Sequence, residues 1–455
     1  MSFSNLGLQP ALLESLSSLG YDTMTPVQAQ SLPPVLSGQD LIGQGKTGSG
    51  KTAAFGLGLL NRLNPGRFQV QALVLCPTRE LADQVAREIR RLARAMANVK
   101  VLTLCGGTPI GPQIGSLEHG AHIIVGTPGR IEDHLRKRTL DLGQLQTLVL
   151  DEADRMFDMG FESAVEAVFE RVPDRRQTLL FSATFPAEAE RVAQRYMHQP
   201  VRVQVAERHD DSSIHQHFIR VPDDRHRLSA LRALLLKQRP ESAVVFCNTK
   251  AETRDLEEAL CRDGFDALAL HGDLVQKERD QALVRFANRS VSILVATDVA
   301  ARGLDIESLD AVFNYHLARD AEVHTHRVGR TGRAGEKGHA YTLYTEKETH
   351  KLARLEAELA LRIEPGAVPE PADERPFKAP MVTLQIDGGK KQKVRPGDVL
   401  GALTGENGVA GHQVGKIDIF DQCAYVAVAR EARKPALEKL RNGKLKGRSF
   451  RVRAV

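Results

Sequence analysis

The stretch GKTGSGKT, from Gly45 to Thr52, decides the fold of the first part of the chain. It fits the pattern G-x-x-x-x-G-K-[ST], in which backbone N–H groups of a glycine-rich loop surround phosphate oxygens at the start of a helix. An apolar run, DLIGQ, precedes it, and a run with helical spacing, AAFGLGLLNRL, follows it. The sequence therefore predicts a strand, a phosphate-binding loop and a helix, and a ligand-free glycine turn is the weaker interpretation.

A second motif, TLVLDEAD, ends an apolar run with carboxylates at Asp151, Glu152 and Asp154. Asp151 suits Mg²⁺, and Glu152 suits the positioning of a water molecule that attacks a phosphate. On its own, an acidic stretch after a strand is more often a helix N-cap, but the phosphate loop upstream reverses that interpretation. In the loop, Lys51 can reach the β- and γ-phosphates of a nucleotide, and the Thr52 hydroxyl can bind Mg²⁺.

Three arginines in HRVGRTGRAG (326–335) form the last candidate for this chemistry. Arg327, Arg330 and Arg333 are three positions apart, a spacing that projects them from one face of a helix or turn. Such a triplet is usually a solvated or RNA-contacting face. Beside a nucleotide site on another domain it can instead stabilise charge on the transferring phosphoryl group, with hydrolysis occurring only when the two domains close.

Apolar runs alternate with helical stretches along most of the chain, a pattern typical of parallel sheets covered by helices. The alternation runs through ALVLC, HIIVG, TLVLD and TLLFS, pauses at AERHDDSSIHQH (206–217), and resumes with AVVFC, ALALH, SILVAT and AVFNY. Five prolines in 364–380 predict an extended, semi-rigid linker. We predict two α/β domains of similar build over residues 1–207 and 213–363, the linker, and a small domain over residues 381–455.

The small C-terminal domain is predicted as strand, helix, strand, strand, helix and strand, the α+β ferredoxin-like order of RRM domains. RRM sheets stack RNA bases on aromatic side chains, but Thr383 and Cys423 occupy two of those positions and only Tyr425 remains. A domain used for packing or dimerisation is therefore an open alternative. Basic clusters favour RNA bound through its phosphates and grooves, and the candidate contacts are Lys390, Lys391, Lys393, Arg430, Lys434, Lys444, Lys446 and Arg448.

Charge and cysteine content narrow the class of protein. The net charge is +5, but residues 381–455 carry 15 Lys and Arg against 7 Asp and Glu, a surplus of 8 that leaves −3 for the rest. A basic tail on a near-neutral body suggests a polyanionic partner. Five cysteines, far apart and without C-x-x-C, predict reduced core residues rather than disulfides or zinc. No run is apolar over the length of a membrane span and the N-terminus is no secretory signal, so we expect a cytoplasmic location.

Together these motifs resemble those of the DEAD-box RNA helicases, over residues 3 to about 360. The segments that carry the resemblance are DEAD (151–154), GYDTMTPVQ (20–28), PTRELA (77–82), the glycine pair 106–107, TPGR (127–130), SAT (182–184), VVFCNTK (244–250), HGDLVQKER (271–279) and ATDVAARGLDI (296–306). The resemblance implies two tandem RecA-like domains, ATP and Mg²⁺ as cofactors, and RNA as the partner. Gly45 stands where relatives usually have Ala, which should not harm a phosphate loop, and Lys46 is a less common choice without an assigned role.

The resemblance also assigns single residues to roles. The implied ATP contacts are Phe3 stacked on adenine, Gln28 at its edge, Gly45, Lys46, Thr47, Gly48, Ser49, Gly50, Lys51, Thr52 and Asp305. The implied catalytic residues are Lys51, Asp151, Glu152, Arg330 and Arg333, with Thr52 and Asp151 as Mg²⁺ ligands and with Ser182, Thr184 and His326 coupling hydrolysis to closure. The implied RNA contacts of the core are Pro77, Thr78, Arg79, Gly107, Thr127, Gly129, Arg130, Gln276, Arg279 and Thr297.

The C-terminal domain resembles that of bacterial DEAD-box helicases that act on large-subunit ribosomal RNA during ribosome assembly, where the domain anchors on an rRNA hairpin. The expected function is therefore an ATP-dependent RNA helicase, monomeric, that locally unwinds short duplexes near its anchor. An ATP-gated RNA clamp or scaffold with little unwinding is one alternative, and a DNA helicase is another. RNA-stimulated phosphate release, and a comparison of RNA with DNA as activator, separate these possibilities.

Overall fold

The structure, a computed structural model, describes residues 2–45, 48–204, 214–301, 309–332, 337–359, 362–370 and 375–455. The chain divides near residue 208 into two compact units. Each unit contains a parallel sheet, and the second unit also contains the C-terminal antiparallel sheet. Within the described ranges, every helix is too short or too polar to span a lipid bilayer.

The first unit is built on a seven-stranded parallel sheet with the order β3-β4-β2-β5-β6-β1-β7. Its strands are β1 (Leu41–Gln44), β2 (Ala72–Leu75), β3 (Val101–Leu104), β4 (Ile123–Gly126), β5 (Thr147–Asp151), β6 (Gln177–Ser182) and β7 (Val201–Gln204). Its helices are α1 (Pro10–Ser18), α2 (Pro26–Leu36), α3 (Lys51–Arg62), α4 (Arg79–Leu92), α5 (Gly111–Glu118), α6 (Pro128–Arg136), α7 (Ala153–Asp158), α8 (Glu162–Phe169) and α9 (Ala187–Tyr196). Successive side chains of β5 enter different cores, Val149 on one face of the sheet and Leu148 and Leu150 on the other. A sheet buried on both faces needs apolar strands throughout, which explains runs such as TLVL.

The second unit repeats this architecture in the order β10-β11-β9-β12-β13-β8-β14, so the prediction of two domains of similar build is confirmed. Its strands are β8 (Ile214–Val221), β9 (Ala243–Cys247), β10 (Ala267–Leu270), β11 (Ile293–Thr297), β12 (Ala311–Asn314), β13 (Gly338–Thr345) and β14 (Pro365–Gly366). Its helices are α10 (Arg227–Gln238), α11 (Lys250–Arg262), α12 (Gln276–Ala287), α13 (Asp298–Ala301), α14 (Ala321–Val328) and α15 (Thr349–Leu359).

Two predicted breaks in the pattern need refinement. The break at 206–217 is too long, because residues from Ile214 onward pair with β13 as part of β8, where His217 stacks on Tyr341 with ring centroids 4.8 Å apart. The described parts of the proline-rich segment, 364–370 and 375–380, contact the second unit. Pro365 and Gly366 pair with β8, and Phe377 packs against the core of this unit.

The C-terminal domain has the predicted ferredoxin-like order. Its elements are β15 (Met381–Ile386), α16 (Pro396–Thr404), β16 (Val414–Ile419), β17 (Ala424–Ala429), α17 (Arg433–Asn442) and β18 (Val452–Ala454), and the antiparallel sheet has the order β16-β17-β15-β18. One face of the sheet packs on both helices, through residues such as Leu384, Val426 and Leu440. The prediction of two RecA-like parallel-sheet domains followed by an RRM-like domain is therefore confirmed.

Candidate nucleotide and RNA sites

Thr25 and Gln28, at the start of α2, fix the phosphate loop from one side. The Thr25 hydroxyl donates to the Ser49 carbonyl (2.8 Å), and Gln28 Nε2 donates to the Gly50 carbonyl (3.2 Å). Gly50 has a φ of 92°, and a Cβ there would lie 2.5 Å from Gln28 Nε2, so the position requires glycine. Gln28, the residue predicted to read adenine, therefore also holds the loop predicted to bind phosphate.

Lys51 and Asp151 bring opposite charges to the buried end of this loop. The Lys51 ammonium donates to the Gly45 carbonyl, and Thr52 follows in the first turn of α3. Burial raises the pKa of Asp151 to about 7, although the Lys51 charge lowers it. Glu152 adds a second buried carboxylate, with its Oε2 3.5 Å from Arg155 Nε. Since desolvation disfavours the charged form of Asp151, a divalent cation beside it would be stabilised here, and the residues fit Mg²⁺.

Asp154 joins the acidic motif to the end of β6. Its backbone N–H donates to Ser182 Oγ (3.1 Å), and its Oδ2 accepts hydrogen bonds from the Thr184 N–H (3.0 Å) and the Thr184 hydroxyl (3.1 Å). The Gly45 N–H donates to the Ser182 carbonyl (3.0 Å). Ser182 thus touches both the phosphate loop and the acidic motif, and Thr184 touches the acidic motif.

The predicted RNA loops of the first unit follow β2, β3 and β4, which are neighbours in the sheet and therefore present these loops at one edge. This placement brings together Pro77, Thr78, Arg79, Gly107, Thr127, Gly129 and Arg130. The bonds that hold the loops run from the Leu81 N–H to Thr78 Oγ1 (3.3 Å), from the Gly106 N–H to Thr127 Oγ1 (3.4 Å) and from Arg130 Nη2 to the Thr108 carbonyl (2.8 Å). At Gly129 the backbone is open, because no atom lies within 4 Å of a Cβ built there. The edge is suited to contact with a sugar-phosphate backbone.

In the second unit, Arg327 of α14 is a buried residue whose hydrogen bonds join three other segments of the domain. It is 1% exposed and donates to both carboxylate oxygens of Asp298 (2.6 and 2.8 Å), to Asn248 Oδ1 (3.1 Å) and to the His316 carbonyl (3.0 Å). The prediction that three arginines project from one face is therefore wrong for Arg327, whose guanidinium fork turns inward to satisfy these acceptors. Arg330, just beyond the end of α14, is also buried at 6% exposed, so exposed projection is wrong for it too, and its role toward the phosphoryl group stays a prediction.

The other predicted RNA segments of the second unit are also joined to one another. Arg279 Nη2 donates to the Ala300 carbonyl (2.8 Å), and the Ala300 N–H donates to Thr297 Oγ1 (3.4 Å). Lys250 pairs with Asp273 (2.6 Å), which links the turn after β9 to the loop after β10. Gln276 begins α12 on that loop. The structure thus places Gln276, Arg279 and Thr297 on connected segments at the carboxyl ends of β10 and β11.

Not every predicted site residue is placed with its group. Lys46, Thr47, Asp305 and Arg333 lie outside the described residues. Phe3 is 3% exposed and packs in the core of the first unit, edge-on to Tyr21 with ring centroids 6.3 Å apart. Its ring has almost no surface left for adenine, so this structure lends the predicted stacking no support. His326 lies in the last turn of α14.

The basic residues of the C-terminal domain fall into two groups. Lys390, Lys391 and Lys393 lie in one turn and Lys444, Lys446 and Arg448 in another, and Lys446 Nζ joins the turns by donating to the Lys393 carbonyl (2.9 Å). We call these six exposed residues the lysine cluster. Arg430 and Lys434, by contrast, lie near the start of α17. Arg430 Nη2 donates to Asp266 (2.7 Å) of the preceding domain, so it has a structural role that its sequence context did not reveal.

The sheet face on which an RRM would stack bases is covered in this protein. Tyr425 is 2% exposed, and burial raises the pKa of its hydroxyl well above its usual range. Thr383 is fully buried, and its hydroxyl bonds with Asn288 (2.9 Å to Nδ2) and Ser290 Oγ (2.8 Å) of the preceding domain. The absence of aromatic residues at these positions therefore has a packing reason: the face is an intramolecular contact.

Sequence reasoning missed several residues of these sites. Arg155 faces Glu152, and the Glu252–His316 pair lies beside the turn after β9. Asn288 and Ser290 form hydrogen bonds with Thr383 of the C-terminal domain. Only Glu252 had a usable signal, since Thr249 followed three positions later by Glu is the spacing of a capping box. The other contacts join segments that are distant in the chain.

Comparisons with known proteins agree with this geometry. Residues 25–192 match the DEAD/DEAH box helicase family, residues 226–335 the helicase conserved C-terminal domain, and residues 383–454 the DbpA RNA binding domain. The chain is 51% identical over 455 residues to the ATP-dependent RNA helicase DbpA of Escherichia coli, with 100% of this chain and 99% of that protein covered. It is 44% identical over 357 residues to the DEAD-box ATP-dependent RNA helicase CshA of Bacillus subtilis, covering 78% of this chain and 72% of the relative.

Among solved structures, Saccharomyces cerevisiae Dbp5 bound to RNA and ADP BeF3 matches with a TM-score of 0.73 and 30% identity, covering 81% of this chain and 96% of that one. The full-length identity to DbpA and the three matched domains indicate an RNA-dependent ATPase with a dedicated RNA-binding domain. The chain belongs to the DEAD-box family of ATP-dependent RNA helicases.

Proposed function

We propose that this helicase anchors on large-subunit ribosomal RNA through its C-terminal domain and unwinds short duplexes nearby during ribosome assembly. The observation that supports the proposal is the lysine cluster: six exposed basic side chains lie on two turns that Lys446 joins, whereas the base-stacking face is covered. Recognition through turns suits a folded RNA that is read by shape. The relative DbpA is named an ATP-dependent RNA helicase, and its RNA binding domain is the one matched here.

In the first unit we propose that the edge of the adenine is read by Gln28 and that the phosphates are bound by residues 45–52. Lys51 neutralises the β- and γ-phosphates, Glu152 positions the attacking water, and Arg330 stabilises charge on the transferring group. Thr52 and Asp151 would hold Mg²⁺, which supplies charge neutralisation of the phosphates when bound. Ser182, Thr184 and His326 transmit the state of the nucleotide.

For RNA, we propose that the two loop edges contact the backbone without reading its sequence. In the first unit the contacts come from Pro77, Thr78, Arg79, Gly107, Thr127, Gly129 and Arg130, and in the second from Gln276, Arg279 and Thr297. Hydroxyls, glycines and arginines can bind sugar and phosphate groups, which is the chemistry these loops offer.

We further propose that the domains span residues 1–207, 213–363 and 381–455, with residues 364–380 as the linker. We propose that the protein is a monomer and that it acts in the cytoplasm.

The anchor is tested by crosslinking the full-length protein to cellular RNA and mapping the crosslinked positions. We expect a single peak on large-subunit rRNA. Lys390→Ala with Lys391→Ala should remove the peak and reduce the salt slope of RNA binding by about 1.4 to 1.8, since each phosphate contact contributes about 0.7 to 0.9. The matched control is Lys347→Ala with Lys351→Ala, which removes two exposed lysines from the region of α15. Crosslinks spread evenly over cellular RNAs would contradict the proposed anchor.

A second candidate, an ATP-gated clamp with little unwinding, makes the same contacts but separates no strands. A short RNA duplex tethered to an rRNA fragment distinguishes the two, because a helicase displaces its strand only with ATP. Lys51→Ala should abolish hydrolysis and displacement and leave binding by the C-terminal domain intact. RNA-stimulated hydrolysis without displacement would favour the clamp.

A further inference from the structure

His316 and Glu252 form a partly buried pair that none of the predicted site residues includes. His316 Nε2 bonds to Glu252 Oε1, and the two side chains are 18% and 27% exposed. Burial raises the pKa of Glu252, but the hydrogen bond and charge of His316, the Asn248 N–H and the Arg227 charge together bring it below its ordinary value. Glu252 is therefore a carboxylate that accepts hydrogen bonds at both of its oxygens.

The second oxygen of Glu252 holds the turn that follows β9. Glu252 Oε2 accepts the Asn248 N–H (3.1 Å), and the Thr249 hydroxyl accepts the Glu252 N–H (3.2 Å) at the start of α11. The Asn248 side chain accepts Arg327 Nη2 (3.1 Å). The turn Asn248–Lys250 is thus fixed by Glu252 at its backbone and by Arg327 at its side chain.

His316 contacts both residues that fix the turn. Its ring binds Glu252, and its backbone carbonyl accepts Arg327 Nη1 (3.0 Å). The residue lies two positions beyond the end of β12, at the same sheet edge as the turn, because β12 and β9 are neighbouring parallel strands. Removal of the ring would leave Glu252 with one donor fewer and would weaken its hold on the Asn248 N–H.

We propose that His316 is a positioning residue for RNA binding. With Glu252 it holds the turn Asn248–Lys250, whose Lys250 pairs with Asp273 on the loop that carries the proposed RNA contact Gln276. The inference rests on the proposed RNA contacts of the core loops. His316 does not touch RNA itself; it removes conformational freedom that binding would otherwise have to freeze. Its loss therefore weakens RNA affinity and leaves the nucleotide site unchanged.

The test compares His316→Leu with His316→Gln in the full chain, since the Gln amide can place a donor near the position of imidazole Nε2. The probe is a fluorescent single-stranded oligouridylate, with ADP and beryllium fluoride present, because it lacks the folded structure that the C-terminal domain is proposed to read. We expect His316→Leu to raise the Kd about tenfold, the change produced by 1.4 kcal/mol, and His316→Gln to restore it to within about threefold. The KM for ATP and the kcat at saturating RNA should stay within about twofold of the unmodified protein.

The matched control is His226→Leu, which removes an exposed His–carboxylate pair, to Asp223 at 2.8 Å, from the same unit. It should leave the Kd unchanged. Thr297→Ala serves as a second arm because Thr297 is a proposed direct contact. An unchanged Kd for His316→Leu beside a raised Kd for Thr297→Ala overturns the inference alone, and an unchanged Kd for both overturns the core contacts with it. Equal losses in the Leu and Gln variants, or a loss in kcat alone, also overturn the positioning role.

Discussion

The turn Cys76–Leu81 in the first sheet and the turn Cys247–Glu252 in the second occupy equivalent places. Each begins with a buried cysteine, Cys76 directly after β2 and Cys247 as the last residue of β9, and continues to a threonine that caps the next helix. The two caps have nearly the same backbone, with φ and ψ of −127° and 157° at Thr78 and of −129° and 155° at Thr249. The same turn is nevertheless fixed by different chemistry.

The difference lies in the residue before each cap. Pro77 has no N–H to satisfy, and its ring restricts its own φ, so the first turn needs little outside help. Asn248 has both a backbone donor and a side-chain acceptor, which are satisfied by Glu252 and Arg327. A covalent restriction is local, whereas a charged network makes the second turn depend on segments distant in the chain. The second unit should therefore be the more sensitive of the two to substitutions far from its loops.

The largest expected effect is that of Arg327→Met. It leaves Asp298 without its cation and Asn248 without its donor, and removal of one partner from a buried pair costs about 3 to 5 kcal/mol. We expect the lower end of this range because the Asp298 side chain is 26% exposed. Amide hydrogen exchange in β9 and β11 measures the loss in the second unit, and exchange in β5 reports whether the first unit is unaffected.

Arg354→Met is the matched control for this substitution. It removes an arginine from an exposed pair with Glu358, where Arg354 is 76% exposed, and such pairs contribute about 0.2 to 1 kcal/mol. If both variants lost the same small stability, the second unit would not depend on its charged network, and the comparison of the two turns would fail.

A smaller effect is expected in the first unit from Thr184→Val. The substitution removes the hydroxyl that donates to Asp154 Oδ2 and keeps the backbone donor, a loss of about 1.5 to 3 kcal/mol for a hydrogen bond to a charged group. RNA-stimulated kcat should fall more than ATP affinity, because the bond joins the acidic motif to β6 and not to the nucleotide. Thr184→Ser retains the hydroxyl and should preserve activity. An equal loss in the Ser variant would show that the methyl group, not the hydroxyl, is what matters.

Much of the fold follows from local patterns in the sequence. Continuous apolar runs such as TLVL indicate strands that are buried on both faces, and apolar residues at helical spacing indicate the helices that cover them. Both parallel sheets could therefore be predicted. The phosphate site could be predicted equally well, because residues 45–52 are adjacent in the chain. Motifs that follow neighbouring parallel strands meet at one edge, which explains why the predicted RNA loops come together.

Contacts between distant segments could not be predicted in the same way. Arg327 has the spacing of an exposed triplet, and only the position of Asp298 beside it shows that it points inward. Thr383 stands where an RRM sheet would have an aromatic residue that stacks on a base. Its hydroxyl is instead hydrogen-bonded to Ser290 and Asn288, which lie 93 and 95 positions away in the chain. A polar side chain can lie in solvent or in a buried hydrogen-bond network, and the residues next to it in the sequence do not show which of the two it adopts.

The smallest expected effect is the difference in stability loss between substitutions at the two capping threonines, Thr78 and Thr249. Replacing a capping threonine by alanine costs about 1 kcal/mol, within a range of about 0.5 to 2. Thr78→Ala should lie near the middle of that range, since Leu81 at the third helical position has no polar group and Glu80 is the carboxylate of the first turn. Thr249→Ala should lie near the lower end, because the Glu252 carboxylate stays at the same helix terminus and still holds the Asn248 N–H. Hydrogen exchange in the first turns of α4 and α11 gives both values, with Thr78→Ser and Thr249→Ser as controls that keep the hydroxyl. A loss at Thr249 as large as that at Thr78 would mean that Glu252 gives no support to the helix end, and that the network serves Asn248 alone.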